Sequence, residues 1–222
     1  MVNTSSLHDK LHRWWAYNGR SFPWRESSVP FHILLAEMML RRTRARQVIE
    51  VYDSFIRRYP EPDSLAIADS VEVADLLYPL GLSWRVPAFQ DLARTLVNHH
   101  DGAVPDNYEM LIKLPGVGDY VASSVCCFAF GQSVAVIDTN TVRVIGRLFG
   151  MPTHSESRRR RPVRELLEKS LDRESPASYN YALLDLAAQV CTPRVPACGH
   201  CPLLDQCMTG QARMTADSGY QV

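Results

Sequence analysis

Apolar residues recur along this chain at the three- and four-residue spacing of a helix far more often than at the alternate spacing of a strand. Leu7, Leu11, Trp14 and Trp15 form the first such stripe, which stops at Gly19. Pro30 opens a second stretch, FHILLAEMMLRRT, and ARQVIEVYDSFIRRY reads as a third. The same period predicts helices over Val71–Tyr78, Pro87–His99, Tyr108–Lys113, Tyr120–Phe130, Asn140–Phe149, Pro162–Leu171 and Ala177–Val190. Only SVAVID alternates like a strand, and six residues cannot build a sheet. The pattern predicts an all-α protein with short loops, no internal repeat, and a frayed tail after Cys207.

Composition narrows the class. The chain has 222 residues, 46% hydrophobic and 22% charged, enough for one large domain or two small ones. No apolar run reaches the length of a membrane span. The N-terminus, MVNTSSLHDKLHRWW, is polar where a secretory signal needs an apolar stretch, so a cytoplasmic address is expected. In that reducing setting six cysteines point to metal rather than to disulfides.

The formal net charge is zero, which argues against a uniformly basic surface. The distribution carries more. Only Lys10, Lys113 and Lys169 are lysines, so 21 of the 24 basic residues are arginines. They cluster at Arg41, Arg42, Arg44 and Arg46, and again at Arg158–Arg161. The planar guanidinium suits bidentate phosphate contacts. The second run reads as a solvated loop or helix start. The first directly follows an apolar helix carrying a single acid, Glu37, whose neighbours Phe31, Leu34, Leu35, Met38 and Met39 leave little room for a wet face. A carboxyl buried there would hold its proton more readily and could donate it.

The segment LPGVGDYVASSVCCFAFGQSVAVIDTN, Leu114–Asn140, looks at first like a dinucleotide fingerprint. That fingerprint needs a preceding strand and a third small residue; here the neighbourhood is helical and Val121 takes the third place. The alternative is a hairpin between two helices. Pro115 restricts one backbone angle, while Gly116 and Gly118 permit positive φ and close approach. The amides of Leu114, Gly116, Val117 and Gly118 then face outward at a helix start and can grip a phosphate backbone without reading sequence. Asp138 follows Gly118 by 20 positions. Asp138-Thr-Asn-Thr before VRVIGRLF also reads as a helix N-cap.

Cys191, Cys198, Cys201 and Cys207 give C-x6-C-x2-C-x5-C, four thiols within 17 residues. Spacing alone leaves tetrahedral zinc and a [4Fe–4S] cluster both open. Cys126 and Cys127 fall on an apolar helix and read as core; His200 is superfluous to a four-thiol site and should be exposed.

Taken in order, FPWR (Phe22–Arg25), LLAEMMLRRTRARQV (Leu34–Val48), LPGVGDY, VIDTNTVRVIGRLFG and the cysteine array resemble the helix-hairpin-helix Gly/Pro…Asp family of DNA base-excision glycosylases, over about residues 7–207. The resemblance implies a two-lobed all-α fold. A six-helix barrel would span residues 21–133 with its hairpin motif at about 108–130, and residues 1–20 plus 134–222 would form the cluster lobe, with the site in the cleft between them. It implies a [4Fe–4S] cluster on Cys191, Cys198, Cys201 and Cys207, resembling the loop of the endonuclease III and adenine-mismatch branches. Asp138 would stabilise a cationic sugar and Glu37 would contact the base.

Tyr120 stands where the bifunctional enzymes of the family carry the lysine that forms a Schiff base and cuts the strand, so a monofunctional enzyme is implied. Adenine-mismatch enzymes typically show serine at this place and G·T mismatch thymine glycosylases show tyrosine. A packing role for Tyr120 at a helix start is the bland alternative. GLSWR (Gly81–Arg85) replaces the GLGYYxR of the adenine-mismatch enzymes, and the chain stops soon after Cys207 without their extra C-terminal domain. Leu82 and Arg42 would flank the space left by an extruded nucleotide, as apolar wedge and as donor to the orphan base.

The expected function is removal of thymine or uracil opposite guanine by a monomer acting on double-stranded DNA that carries a mismatched or damaged base. Two rivals are adenine removal from mismatches by a shortened relative, and a non-catalytic DNA-binding protein that keeps the cluster.

Overall fold

The structure, a computed structural model, describes residues 2–152 and 161–218; Arg158–Arg160 of the second arginine run lie outside them. The chain divides into a central unit, Ser21–Gln132, and a terminal unit made of Met1–Arg20 with Ser133–Val222. In chain order, the terminal unit opens with α1 (Thr4–Asn18). The central unit follows with α2 (Pro23–Glu26), α3 (Pro30–Met39), α4 (Ala45–Arg58), α5 (Pro62–Ala66), α6 (Ser70–Leu77), α7 (Val86–His99), α8 (Tyr108–Leu111) and α9 (Asp119–Phe128). The terminal unit resumes with α10 (Thr139–Leu148), α11 (Arg161–Ser170), α12 (Pro176–Gln189) and α13 (Met208–Ser218). There is no strand among the described residues.

Local chemistry accounts for the helix starts. Proline occupies the first position of α2, α3, α5 and α12, where its missing N–H has no intrahelical partner to lose. Asp69 caps α6 by accepting the Val71 and Glu72 amides, and Asn107 caps α8 by accepting that of Met110. The predicted helix through Thr43 ends earlier, at Met39. Arg42 turns the chain with φ +66°, a left-handed conformation seldom taken by a long side chain. The expected fraying beyond Cys207 is likewise corrected: α13 runs on to Ser218.

In the central unit α3 is the axis. Every residue from Ile33 to Met39 is buried, the mark of a helix enclosed on all sides. In the same unit the rings of Trp24 and Tyr52 meet with centroids 5.5 Å apart and those of Phe55 and Phe89 with centroids 5.9 Å apart. In the terminal unit Leu7 and Leu11 of α1 join Val142 and Ile145 of α10 and Leu183 and Leu186 of α12 in one core.

Two polar contacts hold the terminal unit's irregular parts. Asp185 of α12 is fully buried and accepts from Trp15 Nε1 at 3.0 Å, the Arg20 amide at 2.8 Å and Arg20 Nε at 2.7 Å, which fixes where the chain leaves α1. The SVAVID segment is extended but pairs with no other strand. Asn180 of α12 does the pairing instead: its Oδ1 accepts the Val136 amide and its Nδ2 donates to the Val134 carbonyl, each at 3.0 Å.

Candidate active site and cysteine cavity

The hairpin between α8 and α9 depends on one left-handed glycine. Gly116 has φ +76°, and a Cβ there would lie 2.9 Å from Met38 Cε and 3.2 Å from Ala88 Cβ. Gly118, which could take a positive φ, is extended at φ −123°. Its value is space: a Cβ at Gly118 would meet no protein atom within 4 Å, so the turn stays bare on that side. Ala122 makes the first helical bond of α9, on the Gly118 carbonyl at 2.9 Å, so the preceding amides have no acceptor inside the helix. Leu114 is buried under the turn and accepts the Val117 amide at 3.1 Å. Arg41 Nη1 donates to the Gly116 carbonyl at 2.7 Å, tying the hairpin to the end of α3; Arg42 beside it is exposed.

Glu37 is 2% exposed in the middle of α3. Tyr120 is half-buried on the first turn of α9, and α9 packs directly against α3. Leu82, expected as an apolar wedge, is only 4% exposed and packs into the central unit. The side chain its loop presents to solvent is Trp84, 75% exposed.

Asp138 lies in the terminal unit and caps α10. Its Oδ1 accepts the Asn140 amide at 2.8 Å and the Thr141 amide at 2.7 Å, and its Oδ2 accepts from Asn140 Nδ2 at 2.6 Å. Thr141 closes a capping box, accepting the Asp138 amide at 3.0 Å, and its hydroxyl donates to the Val136 carbonyl at 2.9 Å. The carboxylate is thus held in one orientation at the end of an extended segment that Asn180 pins. The carboxylate that the sequence offers as a site residue is the cap of α10.

The next turn of α10 reaches the cysteines. Arg143 Nη2 donates to Asn140 Oδ1 at 3.1 Å and to the Ala187 carbonyl at 3.0 Å, while Nε donates to the Cys191 carbonyl at 2.8 Å. Burial pulls the Arg143 guanidinium below its ordinary range. One turn on, Arg147 donates to the Thr192 and Pro193 carbonyls, each at 2.7 Å, and to Cys191 Sγ at 3.4 Å. Asn140 and Arg143 carry no signal that separates them from ordinary helix residues in one sequence. Only their positions two and five after Asp138, with Arg147 four beyond Arg143, hint at a shared face.

Cys191, Cys198, Cys201 and Cys207 line one small cavity of about 30 Å³ with Arg147, Leu204, Gly210 and Arg213. Among the described residues no three metal-ligating groups are gathered for a single ion. Burial pushes the Cys201 thiol up to about 11 and raises that of Cys207 too. Thiolates are disfavoured there unless a cationic centre compensates. The Gly210 amide donates to Cys207 Sγ at 3.2 Å, the kind of N–H···S contact that stabilises a metal-bound thiolate. His200 is exposed, and Cys126 and Cys127 are buried in α9.

Two helices joined by a glycine hairpin, with a capped aspartate 20 residues beyond it, define a helix-hairpin-helix protein. The chain belongs to the HhH-GPD superfamily of base excision DNA repair proteins, whose family model matches residues 35–169. It is 38% identical over 210 residues to the thymine-DNA glycosylase of Aeropyrum pernix, covering 91% of this chain and 93% of that protein. It is also 38% identical over 192 residues to the adenine DNA glycosylase of Mycobacterium tuberculosis, but that match covers 86% of this chain and only 63% of the relative. Among solved structures, a thermostable thymine-DNA glycosylase superposes with a TM-score of 0.89 at 33% identity, over 94% of this chain and 97% of that one.

Proposed function

We propose that the chain is a monofunctional DNA glycosylase that releases thymine or uracil opposite guanine. The observation that carries this reading is Tyr120, the second residue after the hairpin's last glycine, in a chain similar to a thymine-DNA glycosylase along nearly the whole of both. The hairpin grips the backbone through the amides of Gly116 and Gly118, those of Leu114 and Val117 being spent on the Leu111 and Leu114 carbonyls at 3.1 Å each, and Arg42 donates to the orphaned guanine. In the reaction the bond from C1′ to the base nitrogen breaks and its electron pair leaves with the base. Glu37, from the central unit, contacts that base and supplies the proton it gains. Asp138, from the terminal unit, stabilises the cationic sugar, and water adds its oxygen at C1′ while the proton it loses passes to solvent, from which Glu37 is reprotonated. The products are a free pyrimidine and an abasic site on an intact strand.

Adenine release is the second reading, favoured by an equal sequence identity to an adenine glycosylase and weakened by the smaller share of that relative which is matched. A base-release assay on G·T, G·U and A·G duplexes separates the readings. Pyrimidine release from the first two supports the proposal, adenine release replaces it with the second, and no release from any leaves a non-catalytic DNA-binding protein.

Tyr120 sets a further expectation. Product strands should stay intact until hot alkali is added, and borohydride should trap no covalent complex. Tyr120→Lys places an amine on the first turn of α9, where a lysine half-shielded from water has more of its free base. The variant should acquire some strand cutting and become trappable. A wild-type protein that already traps would mean that another amine attacks the sugar.

Cys191, Cys198, Cys201 and Cys207 would hold a [4Fe–4S] cluster. Support comes from one shared cavity that all four line and from an amide and a guanidinium directed at two of the sulfurs. When bound, the cluster would organise the loop Cys191–Cys207 rather than take part in hydrolysis. Purified protein should contain about four irons per chain and show a broad visible absorption. Cys198→Ser should lose most of that iron and bind DNA more weakly. One zinc per chain with no colour would overturn the assignment.

A further inference from the structure

Asp119 puts a negative charge where the hairpin is proposed to receive a phosphate. It is the first residue of α9, directly after Gly118, and the one acid in the first turn of that helix. It is exposed, and a Cβ on Gly118 beside it would meet no protein atom within 4 Å, so nothing shields the carboxylate from that side of the turn. A helix start attracts anions, so a carboxylate there and an incoming phosphate compete for one field. The two charges also repel each other directly.

The carboxylate is tethered from the other side of the hairpin. Tyr108 Oη donates to Asp119 Oδ1 across 11 positions of chain. Tyr108 is the first residue of α8, its ring is half-buried, and α8 packs against α9. The start of α8 is itself fixed, since Asn107 Oδ1 accepts the Met110 amide at 2.9 Å. A hydroxyl on such a support holds a carboxylate through a charge-assisted bond, which is stronger than a neutral one.

Aspartates at other helix starts are bonded differently. Asp69 accepts the Val71 and Glu72 amides of its own α6, and Asp138 accepts those of Asn140 and Thr141 in α10. Asp119 takes its donor from the neighbouring helix, which draws the charge toward α8. The remaining charges of the motif are exposed Asp106, Glu109 and Lys113, with Arg41 bonded to the Gly116 carbonyl. Among them Asp119 is the acid adjacent to a glycine whose amide is proposed to meet DNA.

We infer that Tyr108 is a positioning residue for DNA binding: its hydroxyl holds the Asp119 carboxylate on the α8 side of the hairpin, away from the phosphate taken by the Gly116 and Gly118 amides. The inference rests on the proposed reading that the hairpin grips a DNA backbone, but not on which base is removed.

The bond can be broken from either end, and the two cuts should have opposite signs. Tyr108→Phe removes the donor and releases a full charge beside the phosphate, whereas Asp119→Ala removes bond and charge together. Binding of an undamaged duplex is followed by fluorescence anisotropy at low salt. Kd should rise about 3- to 10-fold in Tyr108→Phe and should stay level or fall in Asp119→Ala. The double variant should bind like Asp119→Ala. The Tyr108→Phe penalty should shrink to within about twofold at roughly 0.3 M salt, because exposed charges are screened there. A purely structural tie would give a loss that salt does not relieve. Both side chains lie at the surface, so each variant should melt within a few degrees of wild type. Wild-type affinity in Tyr108→Phe, a Kd raised alike by both single variants, or a penalty that persists in salt or in the double variant would overturn the inference and leave the hairpin's grip intact. No binding of the duplex by wild-type protein would overturn both.

Discussion

Asp138→Asn is expected to slow single-turnover base release on the order of 10³-fold, about 4 kcal/mol of barrier. The size follows from the role proposed for the carboxylate, a full negative charge fixed beside a sugar that becomes cationic only in the transition state. The fold should survive the change. Asparagine caps helices as well as aspartate does, and its Oδ1 can keep the Asn140 and Thr141 amides that Asp138 now accepts. What cannot be kept is the acceptor for Asn140 Nδ2, because an amide NH2 would replace Oδ2. The melting temperature should therefore move by a few degrees at most. DNA affinity should hold or rise, since a negative charge near phosphates is gone. A variant that retains more than a tenth of the wild-type rate would remove Asp138 from the chemistry.

The second large effect concerns stability. Asp185→Ala should cost about 3 kcal/mol of unfolding free energy, read from urea denaturation. Deleting one partner of a buried ion pair commonly costs about 3–5 kcal/mol, because the other charge is left without compensation. The low end applies here because the Arg20 side chain is 32% exposed and can turn toward water, whereas Asp185 is wholly buried. The Trp15 indole and the Arg20 amide lose their acceptor in the same step. Since natural domains rest on about 5–15 kcal/mol in total, such a loss would loosen α1 from α12 well before the central unit is touched. Asp185→Asn, which keeps an acceptor without the charge, should cost about half as much. An alanine variant within about 1 kcal/mol of wild type would show that α1 is held by its leucines alone.

On α10 the carboxylate is linked to the cysteine loop. Arg143 joins Asn140, which orients Asp138, to the carbonyls of Ala187 and Cys191. The end of α12 and the start of the cysteine loop are thereby bonded to the residue that steadies the carboxylate. A disturbed cysteine loop should therefore be felt at Asp138 through a chain of hydrogen bonds inside one unit, with no change in any residue proposed to touch DNA.

What could be read from the sequence was whatever is encoded locally. Helical apolar periodicity established the all-α class. The starts of α2, α3, α5 and α12 fall on prolines, and α6 and α10 begin immediately after their capping aspartates, Asp69 and Asp138. Predicted starts for α6, α7, α9, α10 and α12 fall one residue late; at α6 and α10 the capping aspartate places the first helical turn ahead of the apolar stripe. The hairpin, the single acid in α3 and the cysteine spacing were legible for the same reason: each is a short run of residues whose chemistry needs no distant partner. The rest required the tertiary structure. That Leu82 turns inward and Trp84 outward depends on Met38, 46 positions from Trp84, offering a carbonyl to Arg85. That SVAVID stays extended without a sheet depends on Asn180, 44 positions beyond Val136. Arg143 reaches Cys191 across 48 residues, and Asp185 reaches Arg20 across 165. Such contacts leave no periodic trace in a chain, because a hydrogen bond constrains only the two groups that make it, and packing alone decides which distant pair will meet.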